Sequence, residues 1–275
     1  MSNEELYCIS SYERVLETAK AQGYRFVTFG EYDPAGGKQI ILRHDIVSSP
    51  SLARTLAEID AEHGVTSTFC VMLDSALYNP LSPEDGAALC DIADRGHCLG
   101  LHLDANAWYA EDRDYSRIDA WLDHGQAILG MFGQAKPLVV SWHSPGRLFR
   151  LWAQGWRPAR RLNALHRWFC RDGITFISDN HCRYSPSQLC ERLAQGTEHI
   201  QLLLHPLIWT VGGADMRAIL AHFWRHHVRD RERFMIRTNR VYRGDLPRGM
   251  SSGAENALDW FCQCLEAEMQ QGGPR

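Results

Sequence analysis

The chain has 275 residues, 45% hydrophobic and 23% charged, with a formal net charge of -4 at pH 7. This is enough for one large α/β domain or two small ones with a sizeable core; it excludes a disordered chain and argues against general nucleic-acid binding. No run of about 18 apolar residues occurs, so no transmembrane helix is predicted.

In chain order, Tyr12, Val15, Leu16 and Ala19 make a helical stripe ending near Gly23, and Arg25-Phe26-Val27-Thr28-Phe29 reads as a strand. A Gly-rich turn then leads into Gln39-Ile40-Ile41-Leu42-Arg43-His44-Asp45, whose apolar run suits a strand buried on both faces of a parallel sheet. Ser49 with Pro50 opens a helix that ends by Gly64. Strands are predicted at 66–72, 97–102, 137–142, 174–178 and 199–204, and helices at 83–95, 118–132, 157–171, 185–196, 215–229 and 253–270. Alternating strands and helices predict one α/β domain, a barrel-like parallel sheet over 1–210, with a helical extension over 211–275.

The acidic start Met1-Ser2-Asn3-Glu4-Glu5 predicts no export signal, and hence a cytoplasmic protein. The nine cysteines are odd in number and scattered without a CxxC pair, so they read as reduced thiols. Residues 51–123 carry fourteen acids against four arginines, whereas 147–192 carry nine arginines against three acids. This asymmetry reads either as two solvated faces or as a rim that attracts an anionic, nucleotide- or phosphate-bearing sugar.

The end of each predicted strand carries the chemistry: Asp45, His102, His143, Asp179 and His205. A parallel barrel converges such residues at the C-terminal ends of its strands. Imidazoles and carboxylates are the groups of a metal-assisted hydrolase, in which they hold a zinc-like ion, activate water and protonate a leaving group. For Asp45 the alternative is a buried Arg43–Asp45 or His44–Asp45 pair that ties the barrel mouth together. Trp142, Trp209, Trp108 and Tyr109 lie near strand ends and suit either a sugar-stacking wall or core packing. Arg43 and Arg147 are further candidates for substrate contact. No Gly-rich phosphate loop, G-x-S-x-G elbow or H-E-x-x-H occurs.

Over about residues 12–210 the chain resembles the polysaccharide deacetylase superfamily (the NodB-homology fold), and most of all its branch in surface-polysaccharide biosynthesis. The resemblance is carried by Leu42-Arg43-His44-Asp45-Ile46 with Ser49-Pro50, Thr66-Ser67-Thr68-Phe69 and Gly96-His97-Cys98-Leu99-Gly100-Leu101-His102-Leu103-Asp104. Ser141-Trp142-His143-Ser144-Pro145, Ile177-Ser178-Asp179 and Leu203-Leu204-His205-Pro206 complete it. It implies a distorted (β/α) barrel of about seven parallel strands that removes N-acetyl groups from amino sugars with a divalent metal. By position, it implies Asp45 as catalytic base, His102 as a metal ligand, His205 as general acid and Asp179 as the carboxylate orienting it.

The pattern departs at two ligand positions. The family's metal-binding Asp falls on Ile46 or Val47, its second metal His falls on Asn106, and His143 stands in place of the Arg in its Arg-x-Pro motif. Either the expected metal, zinc, rests on another set such as His102, His143 and Asp45, or the site holds no catalytic metal. The function expected is a hydrolase acting on an N-acyl amino sugar or glycan precursor, nucleotide-linked or lipid-linked. Two alternatives stand beside it: a metal-free relative that binds a glycan precursor or a partner enzyme without chemistry, and another C–N bond hydrolase on the same fold.

Overall fold

The structure, a computed structural model, describes residues 6–105, 116–133, 138–158 and 161–238. Strands β1 (Arg25–Val27), β2 (Gln39–Ile46), β3 (Thr68–Val71), β4 (Cys98–Asp104), β5 (Val139–His143), β6 (Leu162–Asn163), β7 (Thr175–Ser178) and β8 (His199–Leu204) form one sheet. The described helices are α1 (Ile9–Ala21), α2 (Pro50–Glu62), α3 (Pro83–Asp94), α4 (Ser116–Gly130), α5 (Arg147–Ala153), α6 (Arg167–Cys170), α7 (Pro186–Ala194), α8 (Pro206–Val211) and α9 (Met216–Thr238). The chain divides into two compact units, Met1–Asp215 and Met216–Arg275, and all eight strands lie in the first. No described helix is long and apolar enough to cross a membrane.

Every pairing among the described strands is parallel, in the order β6-β5-β4-β3-β2-β8-β7, with β1 beside the first half of β2. The sheet is strongly curled. Strands three places apart in a flat sheet are separated by roughly 14 Å, yet Ser141 on β5 reaches Asp45 on β2 at 3.4 Å. The amide of Gln201 on β8 donates to the Ala164 carbonyl just beyond β6 at 3.0 Å, linking the far ends of the curl. This is the expected distorted (β/α) barrel of about seven parallel strands.

Local chemistry explains the helix starts. Ser49 and Ser82 accept from the backbone N–H of Leu52 and Asp85, each with Pro at the first helical position, and Ser185 forms a capping box with Gln188. The outward strand face carries Phe69, Leu101, Leu103, Val140 and Trp142, packed with Leu89, Ile118, Leu122 and Phe149. Full burial of each such side chain stabilises the fold by about 1.5–3 kcal/mol. The interior is apolar in one layer, where Ile41 and Val139 meet Phe29, Ala164 and Phe169, and polar in the layers nearer the strand ends.

Gly100 makes the tight curvature possible. A Cβ there would lie 2.8 Å from the Val139 carbonyl oxygen and 3.2 Å from the Cys70 sulfur. Gly100→Ala forces backbone to move and is expected to cost about 1–3 kcal/mol, read as a lower urea midpoint with unchanged slope.

One predicted helix is corrected. Residues 157–171 hold β6 and the single-turn α6 instead. Asn163 decides this: its amide donates to the carbonyls of Ala153 at 2.6 Å and Trp156 at 3.0 Å, while its side-chain oxygen accepts from Leu165 N–H at 3.0 Å. Such side-chain bonds compete with the helical ladder and hold the chain open beside β5. Helices α5 and α8 were not predicted, and the helix expected at 253–270 lies outside the described residues.

Candidate active site

The site begins with the alternation of β2. Arg43 and Asp45 face the barrel interior, while His44 between them faces the helices. Arg43 Nε and Nη2 donate to Asp45 Oδ1 and Oδ2 at 2.8 and 2.7 Å, and Nη1 donates to Gln201 Oε1 at 3.0 Å. Both partners are buried. Burial alone would push the Asp45 carboxyl up, but the Arg43 guanidinium, aided by the field of His102, holds it well below the usual carboxylate range. Of the two pairs open for Asp45, Arg43–Asp45 is the one present. Cys70 lies against this pair, and burial pushes its thiol up to about 12, so it is inert.

The next two strands add a chain of contacts. His102 Nδ1 lies 2.7 Å from Ser141 Oγ and 3.6 Å from Asp45 Oδ2, and His102 Nε2 lies 3.3 Å from His143 Nδ1. The two imidazole planes stand at 81°. Burial pushes the His102 imidazole down to about 3 against the pull of Asp45, so it is uncharged near neutral pH. His143, at the end of β5, is half-buried.

The opposite wall carries a second constellation. Asp179, fully buried after β7, accepts from His205 Nδ1–H at 2.6 Å, from the His205 backbone N–H at 2.8 Å and from the Trp209 indole N–H at 2.8 Å. The His205 side chain is 21% exposed. Burial lowers its pKa, but the Asp179 charge and hydrogen bond outweigh this, with help from Asp45, so the net shift is upward. The backbone just past both walls is left-handed at non-glycine residues, with φ 43° at Ser144 and 55° at His181, costing about 1–2 kcal/mol each.

Behind β2, on the helix side, one buried carboxylate collects three donors. Asp60 of α2 accepts from Tyr12 Oη, from Ser67 Oγ at 2.7 Å and from His44 Nε2 at 3.1 Å. Ser67 Oγ also meets His97 Nδ1 at 3.1 Å, and His97 Nε2 reaches the Ala57 carbonyl at 2.8 Å. Tyr12 packs on Trp209, ring centroids 5.6 Å apart, so this network backs the support of His205.

The structure thus brings Asp45, His102 and His143 into one chain of contacts and pairs Asp179 with His205. The candidate substrate contacts fall elsewhere. Trp142 is buried on the outward face against Phe149 and Trp156, so it presents no wall for a sugar. Trp209 is also buried, and serves as a donor to Asp179. Arg43 is bound to Asp45 instead of facing solvent, whereas Arg147 is exposed in the first turn of α5. Val47 is half-buried beyond β2; Asn106, Trp108 and Tyr109 lie outside the described residues.

The donor chemistry does not fit a metal site on Asp45, His102 and His143. Both Asp45 oxygens are engaged by a guanidinium, and the His102 nitrogen nearer to Asp45 faces Ser141. Among the described residues, no three His, Cys, Asp or Glu side chains form a group that could hold a metal ion.

Sequence reasoning missed Ser141, Gln201, Asp60 and Tyr12. Ser141 was recoverable from alternation, since Val139, Ser141 and His143 share one strand face. Asp60 falls on the apolar stripe Ala53, Leu56, Ala57 of α2, and a lone acid there signals a buried partner. No protein-family model matches the chain, and no curated protein matches it.

Proposed function

We propose that the protein is a hydrolase that removes an N-acyl group from an amino sugar, on a nucleotide-linked or lipid-linked glycan precursor. The observation that supports the reading best is the His205–Asp179 pair. A buried carboxylate holds His205 Nδ1–H, leaves Nε2 without a partner among the described residues and favours the protonated ring, which is the state of a general acid. An amide needs such an acid, because the departing amine leaves only once its nitrogen takes a proton. The amino-sugar part of the proposal rests on the motifs around Asp45, His102, His143, Asp179 and His205.

A second reading, binding of a glycan precursor without turnover, draws on one observation: Arg43 occupies both oxygens of Asp45, the residue expected to be the base.

The test is release of carboxylate from N-acetylamino sugars and their nucleotide-linked forms. Turnover is expected, and it falls as pH rises through a His205 titration above the ordinary 6.5. Removing the Asp179 charge lowers that titration, so in Asp179→Asn the alkaline limb of kcat/KM moves to lower pH. Absence of turnover on every member of the panel overturns the hydrolase and favours the binding reading.

A further inference from the structure

We infer that His143 is the general base of this site, with a bare Nε2 lone pair fixed by a chain of protons running from Asp45 through His102. The inference rests on the hydrolase reading above and replaces the base that sequence reasoning placed at Asp45.

Asp45 is badly placed to take a proton from water. It is buried, and each of its oxygens accepts a short charge-assisted bond from Arg43. What it does instead is set the proton positions of its neighbours. Ser141 Oγ has a single proton and lies 3.4 Å from Asp45 Oδ1 and 3.3 Å from the Leu101 carbonyl, both of which can only accept. The negative charge of Asp45 draws that proton, and Oγ then presents a lone pair to His102 Nδ1 at 2.7 Å. Asp45 Oδ2 lies 3.6 Å away, and its charge favours the tautomer in which His102 Nδ1 carries the ring's proton. In the neutral ring Nε2 is then a lone pair.

The same logic passes to the next ring. His102 Nε2, an acceptor, meets His143 Nδ1 at 3.3 Å, so His143 donates from Nδ1. The neutral His143 ring therefore has its lone pair on Nε2. Asp45, Ser141 and His102 act here as positioning residues: none needs to touch the substrate, and together they select one tautomer of a half-buried imidazole at the strand ends.

The hydrolytic step balances on side chains alone. A water gives one proton to His143 Nε2 while its oxygen bonds to the acyl carbon. The C–N bond breaks, and the amine nitrogen takes the proton held on His205 Nε2. The products are the amine and the carboxylic acid; His143 returns a proton to solvent and His205 regains one. No oxidant, reductant or co-substrate beyond water is needed.

The tautomer is measurable without turnover. In the full chain labelled with ¹⁵N-histidine, long-range ¹H–¹⁵N correlations above the histidine titration are expected to show His143 protonated on Nδ1 and bare on Nε2. Removing the acceptor in His102→Phe should release it to the Nε2–H form. A cation shared by His102 Nε2 and His143 Nδ1 requires the opposite tautomer of His143. Observing the Nε2–H form in the wild type therefore overturns the inference.

Kinetics complete the test. His143→Gln is expected to lose at least about 10²-fold in turnover of an N-acetylamino sugar and also in hydrolysis of p-nitrophenyl acetate, whose leaving group needs no proton from His205. Unimpaired turnover in His143→Gln rejects His143 as base. Wild type that cleaves the ester through His143 but no N-acyl amino sugar keeps the base and rejects the amide reading. Wild type that cleaves neither rejects both.

Discussion

Replacement of His205 by Gln is expected to lower kcat on an N-acyl amino sugar by about 10²–10⁴-fold while leaving KM within a few-fold. Glutamine keeps a polar amide near the place of Nε2 but cannot deliver a proton at pH 7. The two states of His205 also leave a mark on stability. Its folded pKa is raised, so the stability it contributes is present in full below the unfolded value near 6.5 and is lost as pH climbs through the folded value. Urea melts should show the wild type losing its advantage over His205→Gln on the alkaline side. A variant with wild-type kcat would remove His205 from the chemistry, whatever its stability.

Arg43→Met should be the most destabilising single change in the barrel interior. It strips both bonds from the Asp45 carboxylate and one from Gln201 Oε1, leaving a buried charge unpaired. Breaking a buried pair in this way costs about 3–5 kcal/mol, which lowers Tm by on the order of 10 °C in a domain of this size. Asp45 has a depressed folded pKa in the wild type, so its stability is present above the unfolded value of 3.8 and is lost only as pH falls through the lower folded value. In the variant the unpaired carboxyl titrates upward instead. The deficit should therefore be largest at neutral pH and shrink as Asp45 takes a proton. Replacing both partners, Arg43→Met with Asp45→Leu, should recover much of the loss, because no buried charge remains. A deficit under about 1 kcal/mol that does not change with pH would mean that the pair is solvated.

Much of this was legible in the chain because a parallel barrel turns strand ends into a site. The apolar run before Arg43 marked β2, and the ends of four further strands supplied His102, His143, Asp179 and His205. Residue types alone leave the partner of Asp45 open between Arg43 and His44, although a two-residue period places 43 and 45 on one face and 44 on the other. Asp60 is harder to read. Its donors come from α1, β2 and the residue before β3, and no local pattern joins Tyr12, His44 and Ser67. Trp142 and Trp209 looked alike as strand-end aromatics. Alternation sends Trp142 outward into the core, and only the tertiary contact with Asp179 shows what Trp209 supports. The segment 157–171 misled because Leu162, Leu165 and Phe169 mimic helical spacing while Asn163 ties the backbone elsewhere.

The place of β2 in the sheet has a consequence for biosynthesis. Its second half pairs with β3, which follows closely, but along most of its length it also pairs with β8, and Arg43 bonds to Gln201, 158 residues later. At about 5–20 residues per second, a ribosome needs roughly 8–30 s to bridge that gap. For that interval one edge of the central strand stays open, with its guanidinium only partly satisfied, in a chain whose defining contacts are distant in sequence and hence slow to form. The nascent barrel is therefore expected to depend on protection from aggregation until β8 has emerged, and the amides of β2 to gain their full resistance to hydrogen exchange only after that last parallel pairing closes.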